Sequence, residues 1–321
     1  MRLEDLRALN EHFQRTSQPD YAAVQALLLQ LGLDPDNLYQ ELEMSNRFVQ
    51  LHRDESYSNS ILQLHSHAFY EVLCCRNSCG AEYLVGAERY RLQKGDIIFI
   101  PPGVSHRPLL PDHMDEPYQR DVLWISEEFV QILQQQFPRR GQTRSDQSSL
   151  LRTADTRWEY LGSMLHDAVA ETERRSPDWE MSVTGSAMTF MTHLKRAFLD
   201  RGTTAIAAEK PDLLGRVMAY IEANLAEKIT VCDTAKHFYV SESTIRQTFR
   251  QKLGVSFHRF VTQRRLIAAK QLIEGGCVLE QVAVQTGFAD YSSFYRAFRQ
   301  EYGISPRQYR VMQESKWRIS T

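Results

Sequence analysis

FRQKLGVS (Phe249–Ser256) and FRQEYGIS (Phe298–Ser305) are two versions of one phrase, 49 residues apart in a chain of 321. A period of this size marks a repeated supersecondary unit. Working back from each copy, the same unit precedes it: a short helical pattern, a tight turn, and a second helix that stops at glycine (Gly254, Gly303). In the first unit Thr230 caps a helix running to Phe238, Tyr239–Val240 turns, and Ser241 caps Glu242–Leu253. In the second, Val278–Thr286, a turn opening at Gly287–Phe288, and an Asp290 cap on Tyr291–Glu301 repeat the plan with one extra turn residue. Ser305, with Pro306 behind it, starts a last helix. Leu213–Asn224 precedes the units, and a helix over about 257–273 joins them through Phe260, Val261, Leu266, Ala269 and Leu272. Two helix-turn-helix units on one scaffold make double-stranded DNA the first partner to consider.

The spacing of apolar residues assigns the faces of the two second helices. Ile245, Phe249, Leu253, Phe294 and Phe298 turn inward, while Ser243, Arg246, Gln247, Arg250, Ser292, Ser293, Tyr295, Arg296 and Arg299 turn outward. Ser243, Arg246, Gln247, Ser292, Ser293 and Arg296 are the candidates for base edges, and Arg250 and Arg299, at equivalent places in the repeat, for phosphates. Charge agrees with this. From Pro211 onward there are 16 basic and 10 acidic residues, net +6; the remaining 22 basic and 30 acidic residues give net −8, so the overall −2 conceals two halves of opposite sign.

Residues 213–312 resemble the DNA-binding domain of the AraC/XylS family of bacterial regulators. The resemblance rests on Ala235, Ser241, Phe249, Gly254, Arg265, Ala269, Leu272, Ala283, Gly287–Phe288, Phe294, Phe298, Gly303, Ser305–Pro306 and Tyr309–Arg310. It implies a one-component transcription regulator, more often activator than repressor, that acts as a homodimer with RNA polymerase and senses a sugar or related metabolite.

Upstream, the period changes. Strands are expected at Phe48–Leu51, Ile61–His67, Tyr70–Cys75, Glu82–Val85, Arg89–Leu92, Asp96–Ile100 and Val122–Ile125. HSHAFYE (His65–Glu71) and GDIIFIPPGVSH (Gly95–His106) resemble the two signatures of the cupin barrel, a double-stranded β-helix. Alternation along an extended strand would put His65, His67 and Glu71 on one face, with His106 arriving from the turn after the Gly95 strand. In metal-dependent cupins these four positions hold iron, manganese or a similar ion; in cupin-like sensor domains they brace the barrel or touch ligand hydroxyls. His65, His67, Glu71, His106 and Tyr83 are therefore the effector-binding candidates, and the first four the candidate metal ligands. No cofactor is expected beyond that metal. Phe69, Tyr70, Tyr83 and Tyr90 suit carbohydrate stacking as well as ordinary strand packing. The rival reading is a metal-dependent cupin enzyme or metal sensor fused to a DNA-binding module. No other nucleophile or phosphate-loop signature supports catalysis, so the expectation is a non-enzyme.

The whole reads as an α+β, two-domain chain: a helical segment over 1–45, a cupin-like domain with flanking helices over 46–201, a small polar linker over 202–211, and the helical domain over 212–321. Glu127–Phe137, 157–174 and 183–199 are expected helices. The stripes Trp158, Leu161, Leu165, Val169 and Met188, Met191, Leu194, Phe198 suit packing on the barrel or a dimer seam equally. Cys74, Cys75, Cys79, Cys232 and Cys277 form no disulfide framework, and Cys75 shares the strand parity of His65 and Glu71. The opening residues lack a signal-peptide core and no run approaches a membrane span, which points to a cytoplasmic protein and no membrane partner.

Overall fold

The computed structural model describes residues 44–57, 65–86, 88–111, 113–137, 150–200, 212–253 and 255–311. The chain divides into two units, Met1–Lys210 and Pro211–Thr321. The expected N-terminal helix, most of the Ile61–His67 strand, the 202–211 linker and the Gly254 stop lie outside the described residues.

Among the described residues of the first unit eight strands form two sheets: β1 (Val49–Ser56), β2 (Phe69–Cys75), β3 (Glu82–Val85), β4 (Glu88–Arg91), β5 (Asp96–Ile100), β6 (His106–Leu109), β7 (Tyr118–Ser126) and β8 (Leu150–Arg152). One sheet runs β1-β7-β2-β5-β8 and the other β4-β3-β6. The strand pairings among the described residues are antiparallel, and the long β1–β7 ladder sets His52 opposite Val122, Asp54 opposite Arg120 and Ser56 opposite Tyr118. Alternation therefore sends one set of side chains between the sheets and the other outward. Phe69, Leu73, Cys75, Tyr83, Tyr90, Ile98, Ile100, Tyr118, Val122 and Trp124 make the inner core.

The outward set, including Val49, Leu51, Val72, Leu123 and Ile125, is covered by α1 (Glu127–Gln136), α2 (Tyr160–Arg174) and α3 (Trp179–Leu199) through Phe129, Leu161, Leu165, Val169, Phe190 and Leu194. The two apolar helical stripes thus pack on the sheet. Tyr70 belongs to this outer layer, stacked on Phe99 at 5.8 Å, and not to the interior where a ligand would stack. Two strands lacked a sequence signal. β6 carries Arg107 and Pro108, and β8 has three residues beside a polar stretch.

The described residues of the second unit form α4 (Leu213–Ala223), α5 (Val231–His237), α6 (Glu242–Leu253), α7 (Phe257–Glu274), α8 (Leu279–Gln285) and α9 (Tyr291–Tyr302), with residues 306–311 again helical. The caps explain the boundaries. Thr230, Ser241, Ser256, Asp290 and Ser305 each accept from a backbone N–H three residues on, at 2.6 to 3.2 Å. Ser305 N–H also donates to Gln308 Oε1 at 2.8 Å, a reciprocal capping box. Gly303 ends α9 in the left-handed conformation, φ 72°. The linking helix α7 serves both units: Phe257 and Phe260 meet Phe249 edge-on at 5.2 Å, while Leu266, Ala269 and Ile273 join the core of Val282, Ala283, Phe294 and Phe298.

Candidate nucleic-acid interface and barrel cluster

The repeat fixes the geometry of the two readers. α5 and α8 end in matching turns: Tyr239 and Gly287 take positive φ (56° and 78°), and the next residues, Val240 and Phe288, donate back to Ala235 and Ala283 at 3.0 Å. The buried face of α6 is Ile245, Phe249 and Leu253, and that of α9 is Phe294, Phe298 and Glu301. The opposite faces then present every residue expected there. Ser243, Arg246, Gln247 and Arg250 are exposed on α6, as are Ser292, Arg296 and Arg299 on α9, with Ser293 half-buried.

Two different settings emerge among the arginines. Arg246 Nη2 donates to Glu242 Oε2 at 2.9 Å, and Arg296 Nη2 reaches Ser293 Oγ at 3.4 Å, so both are aimed by their own helix. The Arg250 and Arg299 guanidinium groups have no such partner among the described residues. Pre-aimed arginines suit base edges, and untethered ones suit phosphates. Two ion pairs tie neighbouring helices to α7: Arg264 with Glu222 of α4, and Arg259 Nη1 with Glu301 Oε2 at 2.7 Å on the buried side of the reader α9. Burial pushes the Glu301 carboxyl above its ordinary value in spite of Arg259.

In the β unit the four cluster residues do converge, by another route than a single strand. Strand β2 starts only at Phe69; His65 instead bridges to His106, the first residue of β6, with reciprocal backbone bonds of 2.8 and 3.2 Å. His65 and His106 rings lie 4.2 Å apart, His67 and His106 4.8 Å, and Tyr83 and His106 6.3 Å. Glu71 Oε2 sits 2.9 Å from His106 Nε2 and 3.3 Å from His67 Nε2, and its other oxygen accepts from Trp124 Nε1 at 2.7 Å. Burial alone would raise the Glu71 acid, but the imidazoles of His106 and His67 hold it well below its ordinary value. Burial lowers His67.

Tautomers follow from the partners. Nδ1 of His67 faces Phe69 O at 2.8 Å and Nδ1 of His106 faces Val104 O at 2.9 Å; carbonyls only accept, so both Nδ1 atoms carry hydrogen. Both Nε2 atoms are thereby turned to one carboxylate, and the His106 contact, although short, is not aligned as a hydrogen bond. Ligand atoms of His65, Glu71 and His106 lie within 4.8 Å of one another. Imidazole and carboxylate donors, with the His106 ring oriented by a backbone carbonyl, fit a first-row divalent cation. The cysteines do not join in. Cys75 is buried with its Sγ on Asn77 O, and burial raises its thiol; burial pushes Cys74 up to about 12.

A second inner polar group has no sequence signal. On the inward face of β1 and β7, Arg120 donates to Ser56 Oγ at 2.9 Å and Asp54 Oδ2 at 3.1 Å, and lies 5.1 Å from the Tyr118 ring. His52 meets Trp124 edge-on at 4.6 Å. Burial acts to raise Asp54, but His52 and Arg120 outweigh it and hold the acid at about 2. A polar residue at every second position resembles a solvated face in sequence; only the sheet closure shows it to be interior.

Comparison with known proteins agrees with the helical unit. Residues 234–312 match the family model described as a helix-turn-helix domain. The chain is 41% identical over 91 residues to the probable transcriptional regulator LumQ of Photobacterium leiognathi, covering 28% of this chain and only 37% of that relative's length. It is 26% identical over 260 residues to the HTH-type transcriptional activator RhaS of Salmonella arizonae, covering 77% of this chain and 86% of that one. A solved structure of apo ToxT from Vibrio cholerae is 15% identical with a TM-score of 0.37, covering 84% of this chain and 100% of that chain. The helix-turn-helix match lies in the second unit, and both curated relatives are transcriptional regulators by description, which supports a DNA-binding regulator as the class. Among the described residues no helix is long and apolar enough to cross a membrane.

Proposed function

We propose that this chain is a one-component transcription regulator whose β unit, a cupin-like barrel, binds a small effector and whose doubled helix-turn-helix binds double-stranded DNA. The observation that carries the effector half is the cluster of buried His67, Glu71 and His106 with half-buried His65, beside Tyr83, a set of polar groups between two sheets that the hydrophobic core does not need. On the DNA side, Ser243, Arg246, Gln247, Ser292, Ser293 and Arg296 meet base edges and Arg250 and Arg299 meet phosphates. Coupling requires the effector and the DNA to favour the same state of the chain. A carbohydrate or related metabolite as effector, a homodimer, RNA polymerase as partner, activation as the sign and a cytoplasmic setting complete the reading, and these rest on the family resemblance. The test is DNA binding by the full chain in the presence of a panel of neutral sugars and polyols. A shift in affinity that disappears in Glu71→Gln and His106→Ala supports the reading; a shift that survives both removes the cluster from it.

A second reading, a metal sensor or a metal-dependent enzyme, is favoured by one feature. Two Nε2 atoms and a carboxylate converge with both Nδ1 hydrogens committed elsewhere, which leaves a place for a proton or a cation between them. A bound cation would supply Lewis acidity and one more ligand contact there. Elemental analysis of protein purified without chelator or metal-affinity resin separates the two. About one metal per chain, lost on replacing His65 and His106 by alanine, favours the second reading, and metal-free, folded, DNA-binding protein favours the first.

A further inference from the structure

The repeat aligns α6 with α9 residue by residue, Ser241 with Asp290 and Phe249 with Phe298, and in that register the outward faces are not equivalent. The first-turn position and the one a turn later are Glu242 and Arg246 on α6, joined by the 2.9 Å ion pair with both residues exposed. The same positions on α9 are Tyr291 and Tyr295, half-buried, their rings 6.3 Å apart. One helix carries a salt bridge where the other carries an aromatic pair.

Base-edge chemistry tells these apart. A carboxylate at the start of a helix that enters a polyanion is repelled by phosphates, and it is tolerated where it accepts from a base amino group. In the major groove only cytosine N4 and adenine N6 offer one. An arginine fork needs two adjacent acceptors, which guanine O6 and N7 supply. A carboxylate and a guanidinium one helical turn apart are therefore both satisfied by one G·C pair. Tyr295 has no charge to spend there. Its ring, held against Tyr291, offers apolar edge area, and the apolar group in the groove is the thymine methyl.

We propose that the two helices read chemically different half-sites: Glu242 and Arg246 together take a G·C pair, guanidinium on guanine and carboxylate on the cytosine amino group, while Tyr295 packs on a thymine methyl. This rests on the DNA-binding reading above. It makes Glu242 and Tyr295 specificity-determining residues and rules out a target built from two identical halves.

The experiment selects binding sites for the full chain from a random duplex library, then titrates the best site with single replacements. In one half, changing the key G·C pair to A·T weakens binding roughly tenfold or more. Glu242→Ala reduces that preference while tightening binding to random duplex, because a like charge is gone. In the other half, replacing the key thymine by deoxyuridine, which removes only the methyl, weakens the wild type and leaves Tyr295→Ala unchanged; Tyr295→Arg shifts the preferred base there to guanine. Identical halves, an undiminished G·C preference in Glu242→Ala, or indifference to deoxyuridine at every thymine would each overturn the proposal with DNA binding intact. Absence of duplex binding altogether would instead remove the reading beneath it.

Discussion

Gly287→Ala and Tyr239→Gly exchange chemistry at equivalent turn positions, and the structure gives them opposite signs. At Gly287 an added Cβ would lie 2.1 Å from Leu225 O, 2.9 Å from Arg265 Nη2 and 3.0 Å from Ala226 C, with the backbone at φ 78°. Non-bonded heavy atoms settle near ~3.5–4.0 Å, so the α4–α5 loop would have to retreat by more than about 1 Å. The left-handed conformation adds about 1–2 kcal/mol for a residue with a Cβ, and overpacking about 1–3 kcal/mol. The expected loss is roughly 2–5 kcal/mol, which at about 4 °C or more per kcal/mol lowers the melting temperature of the helical unit by about 10 °C or more. Tyr239 already has a Cβ at φ 56° and is 95% exposed, so glycine there relieves strain and touches nothing packed. That variant should melt within a few degrees of wild type or slightly above it. The assay is thermal denaturation of the full chain followed at 222 nm, with tryptophan fluorescence of a Trp317→Phe background as a reference, since the other three tryptophans, Trp124, Trp158 and Trp179, lie in the β unit. A Gly287→Ala protein that melts with the wild type would refute the reasoning, because the packing of the second turn would then not depend on a bare backbone.

Three further outcomes follow from the same geometry. Arg246→Ala and Arg296→Ala should each cost about 1–3 kcal/mol and relax preference at one base position, whereas Arg250→Ala should weaken all sequences alike and shallow the salt dependence by about one counterion; equal losses on selected and random duplex in both kinds of variant contradict the assignment. Arg259→Met should destabilise the helical unit by about 3–5 kcal/mol by leaving Glu301, 2% exposed, without its cation, and adding Glu301→Leu should recover much of that; a double variant less stable than the single one denies the pair its role. Asp54 is held at about 2 from an ordinary 3.8. A lowered acid contributes stability that is complete above its ordinary value and lost as pH falls through the depressed one, so about 2 kcal/mol should leave the β unit between about pH 4 and 2. Asp54→Asn should flatten that part of its stability profile, and an unchanged profile counts against the buried pair with Arg120.

How much of this was legible before folding differs between the halves, for physical reasons. The helical unit was readable nearly to the residue, because capping hydroxyls and carboxylates, glycine stops and a three-and-four apolar stripe are local signals, and each occurred twice. Leu272 was expected in the core of α7, yet it is half-buried and Ile273 takes the buried place, a shift of one residue that periodicity cannot resolve. The strands with clean alternation were also readable. Strand β1 was cut short at Leu51 because His52, Asp54 and Ser56 look like a solvated edge, although they pack between the sheets. The His/Glu cluster was anticipated by residue type, but its assembly depends on a bridge between His65 and His106, a long-range pairing absent from local pattern. Glu242 and Tyr295 carry no DNA-contact signal of their own in sequence, because a carboxylate repels phosphate and an outward tyrosine resembles ordinary helix surface.

The proposed function requires both reading helices to engage one duplex at once. α7, 18 residues and so about 27 Å long, separates them by a distance comparable to one turn of B-DNA. Methylation interference on a selected site tests this most directly, because guanine N7 faces the major groove. Two clusters of interfering guanines about 10 base pairs apart are expected, one lost in Arg246→Ala and the other in Arg296→Ala. A single cluster, or two that respond to the same variant, would contradict it.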